Sequence, residues 1–273
     1  MDAYSVLMSV YRKDDPKYLT EAIDSMLHQS IEPAELVVVC DGPLSDELNA
    51  VIDRYSNSDP TRFKVIRLEK NQGLGEALRQ GMQHCTFELV ARMDSDDISL
   101  PERMAMQLEY LDAHKDVSVL GGQIQEFQNN VQEMKKVRAV PTEPEEIKKF
   151  CAKRNPMNHM SVTLRKSDVL AAGGYVGFDK FEDYYLWARM LAAGYQLANL
   201  NELCVYVRAG DELYLRRGGM PYFRRTVAIE KKLQELGICS RLQMVSNLTT
   251  RFVATVLLTN RMRKFFYNRF LRK

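Results

Sequence analysis

Several features of common protein classes are missing from this sequence. Its five cysteines are scattered, odd in number and without a CxxC pair, so they do not indicate a zinc or redox site. No run of about 18 apolar residues occurs, so no segment is predicted to span a bilayer as a single helix. The first 15 residues include an acid at position 2 and an apolar run too short for a signal peptide. We therefore expect a cytoplasmic protein with buried, reduced thiols.

The residues that are present indicate a globular protein. The chain has 273 residues, of which 45% are hydrophobic and 27% are charged, which excludes a disordered or fibrous class. This length fits one large domain, or one domain with an appendage. The net charge of +2 hides an uneven distribution, because the 241–273 segment contains eight basic residues and no acidic one.

Two periodicities alternate in the first half of the sequence. Short β-rich runs are predicted at Tyr4–Tyr11, Leu36–Cys40, Lys64–Leu68 and Leu89–Met93. Helices are predicted at Lys17–Gln29, Asp46–Ser56, Gly75–His84 and Pro101–His114. Strands that alternate with helices indicate an α/β fold, a doubly wound, mostly parallel sheet with helices on both faces.

Polar residues follow each of these strands. They are Tyr11, Asp41, Asn71 and the acidic group Asp94, Asp96 and Asp97. Because ligands bind doubly wound sheets beyond the carboxyl ends of the strands, we expect these side chains to share one rim. Further along, strands are predicted at Val117–Phe127 and Ser161–Arg165, helices at Glu143–Cys151 and Glu182–Ala193, and a helical chain from Arg224 onward.

The segment ARMDSDDISLPERMAMQ places the carboxylates of Asp94, Asp96 and Asp97 at the end of an apolar strand. Carboxylates so close repel one another and raise each other's pKa values unless a cation intervenes. Oxygen ligands of this kind suit Mg²⁺ or Mn²⁺. The alternative is an acidic turn before a helix, with Ser99 and Glu102 as a capping box. Since the capping box leaves the three aspartates unexplained, the pattern favours a metal site.

Four segments of the first 110 residues stand out together: SVLMSVYRKD, ELVVVCDG, NQGLGEALRQG and ARMDSDDISLPERMAMQ. They are followed by NPMNHMSVTLRKS, GGY with EDYYLWARMLAAGY, and YLRRGG. This order of motifs resembles glycosyltransferase family 2 with the GT-A fold, as in bacterial enzymes of exopolysaccharide, capsule and O-antigen assembly such as the amylovoran biosynthesis type. The resemblance implies a domain over residues 1–222, with a nucleotide-binding half at 1–115 and an acceptor half at 116–222. A basic helical extension at 223–273 would follow it.

The resemblance implies a site for a nucleotide-sugar donor, with UDP as the expected nucleotide. Tyr11 and Asp41 match residues beside the nucleobase, although Asp41 would also suit a plain turn. Asn71 matches a lower-ranked donor contact. Asp94 and Asp96 match the DxD element, in which the first aspartate lies near the ribose and the second binds Mn²⁺ or Mg²⁺.

On the acceptor side, Asp183 matches the aspartate of the family's ED motif. That residue serves as the general base for the acceptor hydroxyl, and a single displacement of this kind inverts the anomeric centre. Glu182 precedes it, and both acids would also suit the N-terminus of an ordinary helix. Asp97 would support the residues that bind the metal without binding it directly, or would be an acid at a helix N-terminus.

Other residues carry lower-ranked predictions. His159 resembles a family segment near the acceptor, although a single histidine is often structural. Arg216 and Arg217 would reach the donor diphosphate from a loop, or would be solvated loop charges. Many family members carry Arg-Asn shortly after the third strand, and this sequence lacks that pair. Arg79 or Arg92 would then replace the arginine that helps to hold the donor phosphates.

The 251–273 segment, RFVATVLLTNRMRKFFYNRFLRK, combines a short apolar run with basic and aromatic residues. It suits an amphipathic helix on an anionic membrane surface, and the lipid-linked glycan acceptors of the family favour this over packing on the domain or nucleic-acid binding. We therefore expect a peripheral protein at the inner face of the cell membrane. Two other functions stay open: a nucleotidyltransferase, whose expected glycine-rich phosphate loop is missing, and a non-catalytic membrane adaptor, against which the intact acids argue.

Overall fold

The computed structural model describes residues 2–128, 137–178, 180–209 and 218–258. Within these ranges the strands form one nine-stranded sheet. The strands are β1 (Tyr4–Val10), β2 (Glu35–Cys40), β3 (Phe63–Arg67), β4 (Leu89–Met93), β5 (Ile98–Ser99), β6 (Val117–Phe127), β7 (Val137–Arg138), β8 (Thr163–Arg165) and β9 (Gln196–Arg208). The helices are α1 (Pro16–Leu27), α2 (Asp46–Ser58), α3 (Leu74–His84), α4 (Arg103–Ala113), α5 (Pro144–Cys151), α6 (Lys166–Ala171), α7 (Glu182–Ala192), α8 (Gly219–Glu235) and α9 (Arg241–Phe252).

The strand order is β3-β2-β1-β4-β8-β6-β9-β5, and β7 pairs with β6. The first four strands in this order run parallel to one another. The apolar runs of β2 and β4 are buried along their whole length, as expected for strands covered on both faces. Antiparallel pairs join β8 to β4 and to β6, so the second half of the sheet is mixed. The predicted α/β fold is confirmed.

Helices pack on both faces of the sheet and enclose two hydrophobic cores. Alternate residues of β1 divide between them, because successive side chains of a strand point to opposite faces. Leu7 belongs to the core that includes residues of α3, α5, α7 and α8. Met8 belongs to the core that includes residues of α1, α2 and α4. All five cysteines are buried free thiols, as expected.

The capping box considered for α4 is not formed. Helix α4 begins at Arg103, and Glu102 makes no side-chain cap. The Glu102 carboxylate instead accepts from the hydroxyl of Ser30 over 2.9 Å, and the Ser99 hydroxyl accepts from Gln29 over 3.2 Å. Both residues therefore tie the segment after β4 to the residues that follow α1, across 70 and 72 positions of the chain, which local sequence cannot encode.

The C-terminal helices are present, and their inner faces pack on the sheet domain. Ile229 and Leu233 of α8 are fully buried in the same core as α3 and α7. The expected boundary after residue 222 falls within α8, which begins at Gly219. In α9, Asn247 donates to the carbonyl of Ala152 over 2.8 Å. None of the helices in the described residues is long and apolar enough to cross a bilayer.

Candidate active site

The three aspartates predicted to bind a metal lie together beyond the carboxyl end of β4. One carboxylate oxygen from each of Asp94, Asp96 and Asp97 lies within 4.8 Å of the others. Asp96 is exposed, Asp94 is half-buried and Asp97 is buried. Among the described residues the Oδ2 atom of Asp97 is buried and has no hydrogen-bond partner, which is rare for a native carboxylate. A cluster of hard oxygen donors with one orphaned oxygen fits Mn²⁺ or Mg²⁺.

Desolvation and the charges of neighbouring acids raise the pKa values of Asp96 and Asp97. Loss of water around the carboxylate raises the pKa of Asp96 to about 7, although the residue as a whole is exposed, and the charges of Asp94 and Asp14 add to the rise. Burial, followed by the charge of Asp96, holds the pKa of Asp97 well above its usual value. A divalent cation would relieve both effects, because it stabilises the ionised carboxylates.

Arg92 is a buried cation directly beside this cluster. Its guanidinium forms an ion pair with the carboxylate of Asp94, and the side chain is only 2% exposed. Burial acts to lower the pKa of Arg92, but the charge of Asp94, the hydrogen bond to Asp94 and the weaker influences of Tyr175 and Asp97 together raise the pKa above its usual value. The Nε and Nη1 groups of Arg92 are buried and have no hydrogen-bond acceptor in the part of the chain that the structure describes. Arg92 is therefore charged and fixed to Asp94 through one of its three nitrogen atoms.

Asp41 organises the loop that leads into α3. Its carboxylate accepts from the side-chain amide of Asn71 over 2.9 Å and from the backbone N–H groups of Gln72 and Gly73 over 2.7 and 2.9 Å. Gly42 follows with a φ of +85°, and an added Cβ would lie 2.5 Å from the backbone nitrogen of Asn71. Asp41 and Asn71, predicted separately, thus form one unit at the rim, and Tyr11 follows β1 on the neighbouring strand.

Asp183 lies in the first turn of α7 with both carboxylate oxygens engaged. Its Oδ2 accepts from the side-chain amide of Asn155 over 2.6 Å, and its Oδ1 accepts from the backbone N–H of Tyr184 over 2.7 Å. Loss of solvation raises the pKa of Asp183, and these two hydrogen bonds and the charge of Arg92 oppose the rise. Burial and the charge of Asp183 raise the pKa of Glu182 to about 7.

The start of α3 lies directly against Glu182, the first residue of the Glu182–Asp183 pair. A Cβ added to Gly75, at the start of α3, would lie 3.1 Å from the Cβ of Glu182. The charge of Arg92 opposes the rise in the pKa values of both Glu182 and Asp183. The fold therefore brings the acidic turn, the start of α3 and the Glu182–Asp183 pair near one another. The acidic turn follows β4, as the rim rule predicts, whereas the Glu182–Asp183 pair begins a helix and lies outside that rule.

The lower-ranked residues lie in different surroundings. His159 is buried, bonds the Tyr175 hydroxyl over 2.8 Å and has a pKa well below its usual value because of burial, which favours its structural interpretation. Arg79 pairs with Glu76 of its own helix. Arg216 and Arg217 lie outside the described residues.

The family pattern described as glycosyl transferase family 2 matches residues 5–170. This chain belongs to that family. It is 39% identical to the amylovoran biosynthesis glycosyltransferase AmsE of Erwinia amylovora over 226 residues, which covers 83% of this chain and 84% of the relative. It is also 34% identical over 273 residues to the UDP-Gal:alpha-D-GlcNAc-diphosphoundecaprenol beta-1,3-galactosyltransferase of Escherichia coli, covering 99% of this chain and 97% of that one.

Solved structures show that this glycosyltransferase has the GT-A fold. S. aureus TarS 1-349 in complex with UDP-GlcNAc matches 97% of this chain with a TM-score of 0.69 at 16% identity, over 75% of its own length. The mannosyltransferase PcManGT of Pyrobaculum calidifontis, in complex with GDP-Man and Mn²⁺, matches 96% of this chain with a TM-score of 0.65 at 14% identity, over 72% of its own length. At these identities the similarity concerns the fold.

Three residues near the predicted site are not identified by the sequence analysis. Asp14 accepts from the Ser95 hydroxyl over 2.7 Å, and burial raises its pKa to about 6. Asn155 donates to the carboxylate of Asp183, and the backbone N–H of Arg208 donates to the carboxylate of Asp97. Only Asp14 had a usable signal, because it is an acid shortly after β1 on the predicted rim.

A separate concavity of about 400 Å³ lies near the opposite end of α7 from Asp183. Glu143, Lys148, Leu191 and Tyr195 are among the residues that line it. It contains none of the predicted site residues.

Proposed function

We propose that this family 2 glycosyltransferase is an inverting, metal-dependent enzyme that moves a sugar from a UDP-linked donor to a glycan acceptor. One observation carries the proposal: the charge of the buried Arg92 acts on the DxD aspartates and on Asp183 alike. Acids of both motifs therefore lie within electrostatic range of one buried cation, and we propose that the donor and the acceptor meet beside it.

In this reaction Asp183 takes the proton of the acceptor hydroxyl while the hydroxyl oxygen forms a bond to the anomeric carbon. The bond from that carbon to the diphosphate oxygen breaks, and the nucleoside diphosphate leaves with the electron pair. Attack from the face opposite the leaving group inverts the anomeric centre. The hydrogen bonds from Asn155 and Tyr184 hold the carboxylate of Asp183 in one orientation for this step.

Asp96, with Asp94 and Asp97 beside it, would hold Mn²⁺ or Mg²⁺. Such an ion acts as a Lewis acid that stabilises the charge on the departing diphosphate. Asp94 would lie near the ribose, and Tyr11, Asp41 and Asn71 would contact the nucleotide. The UDP-GlcNAc complex of TarS and the Mn²⁺ complex of PcManGT support this donor and this metal by fold.

The acceptor that we propose is a lipid-linked glycan in bacterial surface polysaccharide synthesis. The names of the two relatives support this class, since one includes amylovoran biosynthesis and the other a diphosphoundecaprenol acceptor. We further propose that residues 1–222 form the catalytic domain and that the 223–273 extension contacts the inner face of the cell membrane. The exposed apolar residues Leu242, Val245, Val253 and Leu257 support this contact.

The alternative functions considered from the sequence have less support. A nucleotidyltransferase would use paired aspartates too, but that function gives no reason for a carboxylate held by two hydrogen bonds at Asp183. A non-catalytic adaptor would not need the orphaned oxygen of Asp97 or the ion pair of Arg92 with Asp94. Binding of nucleic acid has no support beyond the basic charge of the tail.

The test combines binding with product analysis on the full-length protein. Calorimetric titration with UDP should show affinity that requires Mn²⁺, and GDP should bind more weakly. NMR spectra of the product formed from UDP-sugars and a lipid-diphosphate glycan should show an inverted anomeric configuration. A retained configuration would refute the single displacement. An affinity for UDP that is the same with and without Mn²⁺ would refute the metal dependence.

A further inference from the structure

We infer that Arg208 is a positioning residue that holds the acidic turn of Asp94 to Asp97 in the geometry that binds the cation. This inference rests on the proposed function, because it concerns the metal that Asp96 would hold. Arg208 is the last residue of β9 and lies 111 positions after Asp97 in the chain. It belongs to none of the motifs that the sequence singles out.

Arg208 contacts the turn through its backbone and its side chain. Its backbone N–H donates to Oδ1 of Asp97 over 2.9 Å, and its Nε donates to the backbone carbonyl of Asp96 over 3.1 Å. The strand after the turn pairs with the same region of β9, where Ile98 lies opposite Tyr206. These contacts fix the backbone of the turn and one oxygen of Asp97. They leave the Asp96 carboxylate and Oδ2 of Asp97 for a cation.

Arg208 is itself held on three sides. Its guanidinium donates to Glu21 of α1 over 2.7 Å. The guanidinium carbon lies 3.6 Å from the ring centroid of Tyr18 and 4.6 Å from that of Phe127. The side chain is 11% exposed. A planar guanidinium between two rings combines stacking with several directed hydrogen bonds, which a lysine ammonium cannot reproduce.

This restraint opposes the repulsion within the turn. Without a cation, the three carboxylates of the turn repel one another and favour conformations that separate them. A turn that is already held in place loses less entropy when it binds the ion. Residues that orient metal ligands in this way typically change metal affinity by about 10- to 100-fold when they are replaced. The position of Arg208 behind the turn predicts an effect of that size.

The test measures Mn²⁺ affinity directly, by electron paramagnetic resonance titration of the full-length protein with UDP present. Arg208→Lys and Arg208→Gln are compared with the wild type, and thermal unfolding of each is followed by circular dichroism. We expect Arg208→Lys to fold and to bind Mn²⁺ about 10- to 100-fold more weakly. The control Arg62→Lys, at a half-exposed arginine paired with Glu32 and Asp59, should bind Mn²⁺ as the wild type does.

The outcomes separate the possible failures. A merely structural role would lower the unfolding temperature and leave the Mn²⁺ affinity of the folded molecules unchanged, and that result would overturn the inference. If Arg208→Gln does not fold, the lysine variant decides. A wild-type protein that binds no Mn²⁺ overturns the metal-dependent function as well, whereas wild-type binding with unchanged variants overturns only the role of Arg208.

Discussion

The side-chain amide of Asn155 donates to Oδ2 of Asp183 over 2.6 Å. This contact joins the loop after α5 to the first turn of α7, and it places a neutral donor on the carboxylate proposed as the base. An amide donor stabilises the ionised form without supplying a proton that could be transferred. Asp183 is thus kept available to accept a proton in a partly buried setting that otherwise favours its neutral form.

Replacement of Asp183 by Asn should remove activity and leave the fold intact. If Asp183 is the base, turnover should fall by about 100- to 10,000-fold, the usual contribution of general base catalysis. Burial raises the pKa of Asp183 and so disfavours its charge, but an Asn side chain has only one acceptor oxygen for the donors of Asn155 and Tyr184. We therefore expect the variant to fold with a modestly lower unfolding temperature. Turnover and thermal unfolding check the two halves of this prediction. Wild-type turnover in Asp183→Asn would exclude the residue as the base.

The Asn155→Ala variant should shift the pH dependence of turnover. The Asn155 hydrogen bond lowers the pKa of Asp183, so its loss raises that pKa further. Turnover requires the ionised base, so the acid limb of the profile should move to higher pH, and turnover should recover at alkaline pH. The control is Asn247→Ala, which removes a half-buried amide from α9. An acid limb that stays in place would contradict the role given to Asn155.

Asp96→Asn should weaken Mn²⁺ binding more than it weakens the fold. Loss of one charged ligand is expected to reduce Mn²⁺ affinity by at least about 100-fold, since hard cations depend on anionic oxygens. The unfolding temperature should stay the same or rise, because desolvation and the charge of Asp94 penalise the ionised Asp96 when no cation is bound. Asp112→Asn, at an exposed acid of α4, is the matched control. Equal Mn²⁺ affinity in both variants would show that Asp96 does not bind the metal.

A comparison of two glycines tests how tightly the donor loop is packed. Gly42 and Gly237 both have positive φ values, but an added Cβ at Gly42 would lie 2.5 Å from the backbone of Asn71, whereas the space around Gly237 is open. Gly237→Ala should cost about 1 kcal/mol from backbone strain alone. Gly42→Ala should cost about 3 kcal/mol, because overpacking against backbone adds to that strain. Urea denaturation measures both, and equal losses would contradict the close contact.

Local sequence patterns predict much of this fold because they are short-range. The strands after which Tyr11, Asp41 and Asp94 lie are apolar runs of strand length, and their helices show helical periodicity. The rule that ligands meet the carboxyl ends of strands then brings these residues to one rim. The clustering of the three aspartates needed no further information, since they are neighbours in the chain.

The remaining parts of the site depend on contacts between distant segments. Strand β9 is not predicted, because NLNEL interrupts its apolar pattern and its pairing with β6 has register shifts. Arg208 therefore had no predicted neighbour, and its contacts with Asp96 and Asp97 follow only from the pairing of β9 with β5. The same holds for Asn155, whose partner Asp183 is 28 residues away.

The outer face of α9 provides a test of membrane contact. Leu242 and Val245 lie on one face of α9 and are 85% and 57% exposed, and Val253, directly after the helix, is 43% exposed. Asn247 and Arg251, which bond the α5 region, lie on the opposite face of the helix. Because the 241–273 segment is basic and without acids, this apolar face is suited to an anionic bilayer, where each basic residue contributes about 1 kcal/mol.

Val245→Glu should therefore reduce binding to vesicles that contain phosphatidylglycerol by about 10-fold, since it places a like charge and a polar group against the lipid. Asn57→Glu, at an exposed residue of α2, makes the same change in net charge away from this face and should bind as the wild type does. Vesicle flotation measures the bound fraction, and phosphatidylcholine vesicles should bind less of either protein. If Val245→Glu and Asn57→Glu float equally well, α9 does not face the membrane and any binding must come from other residues.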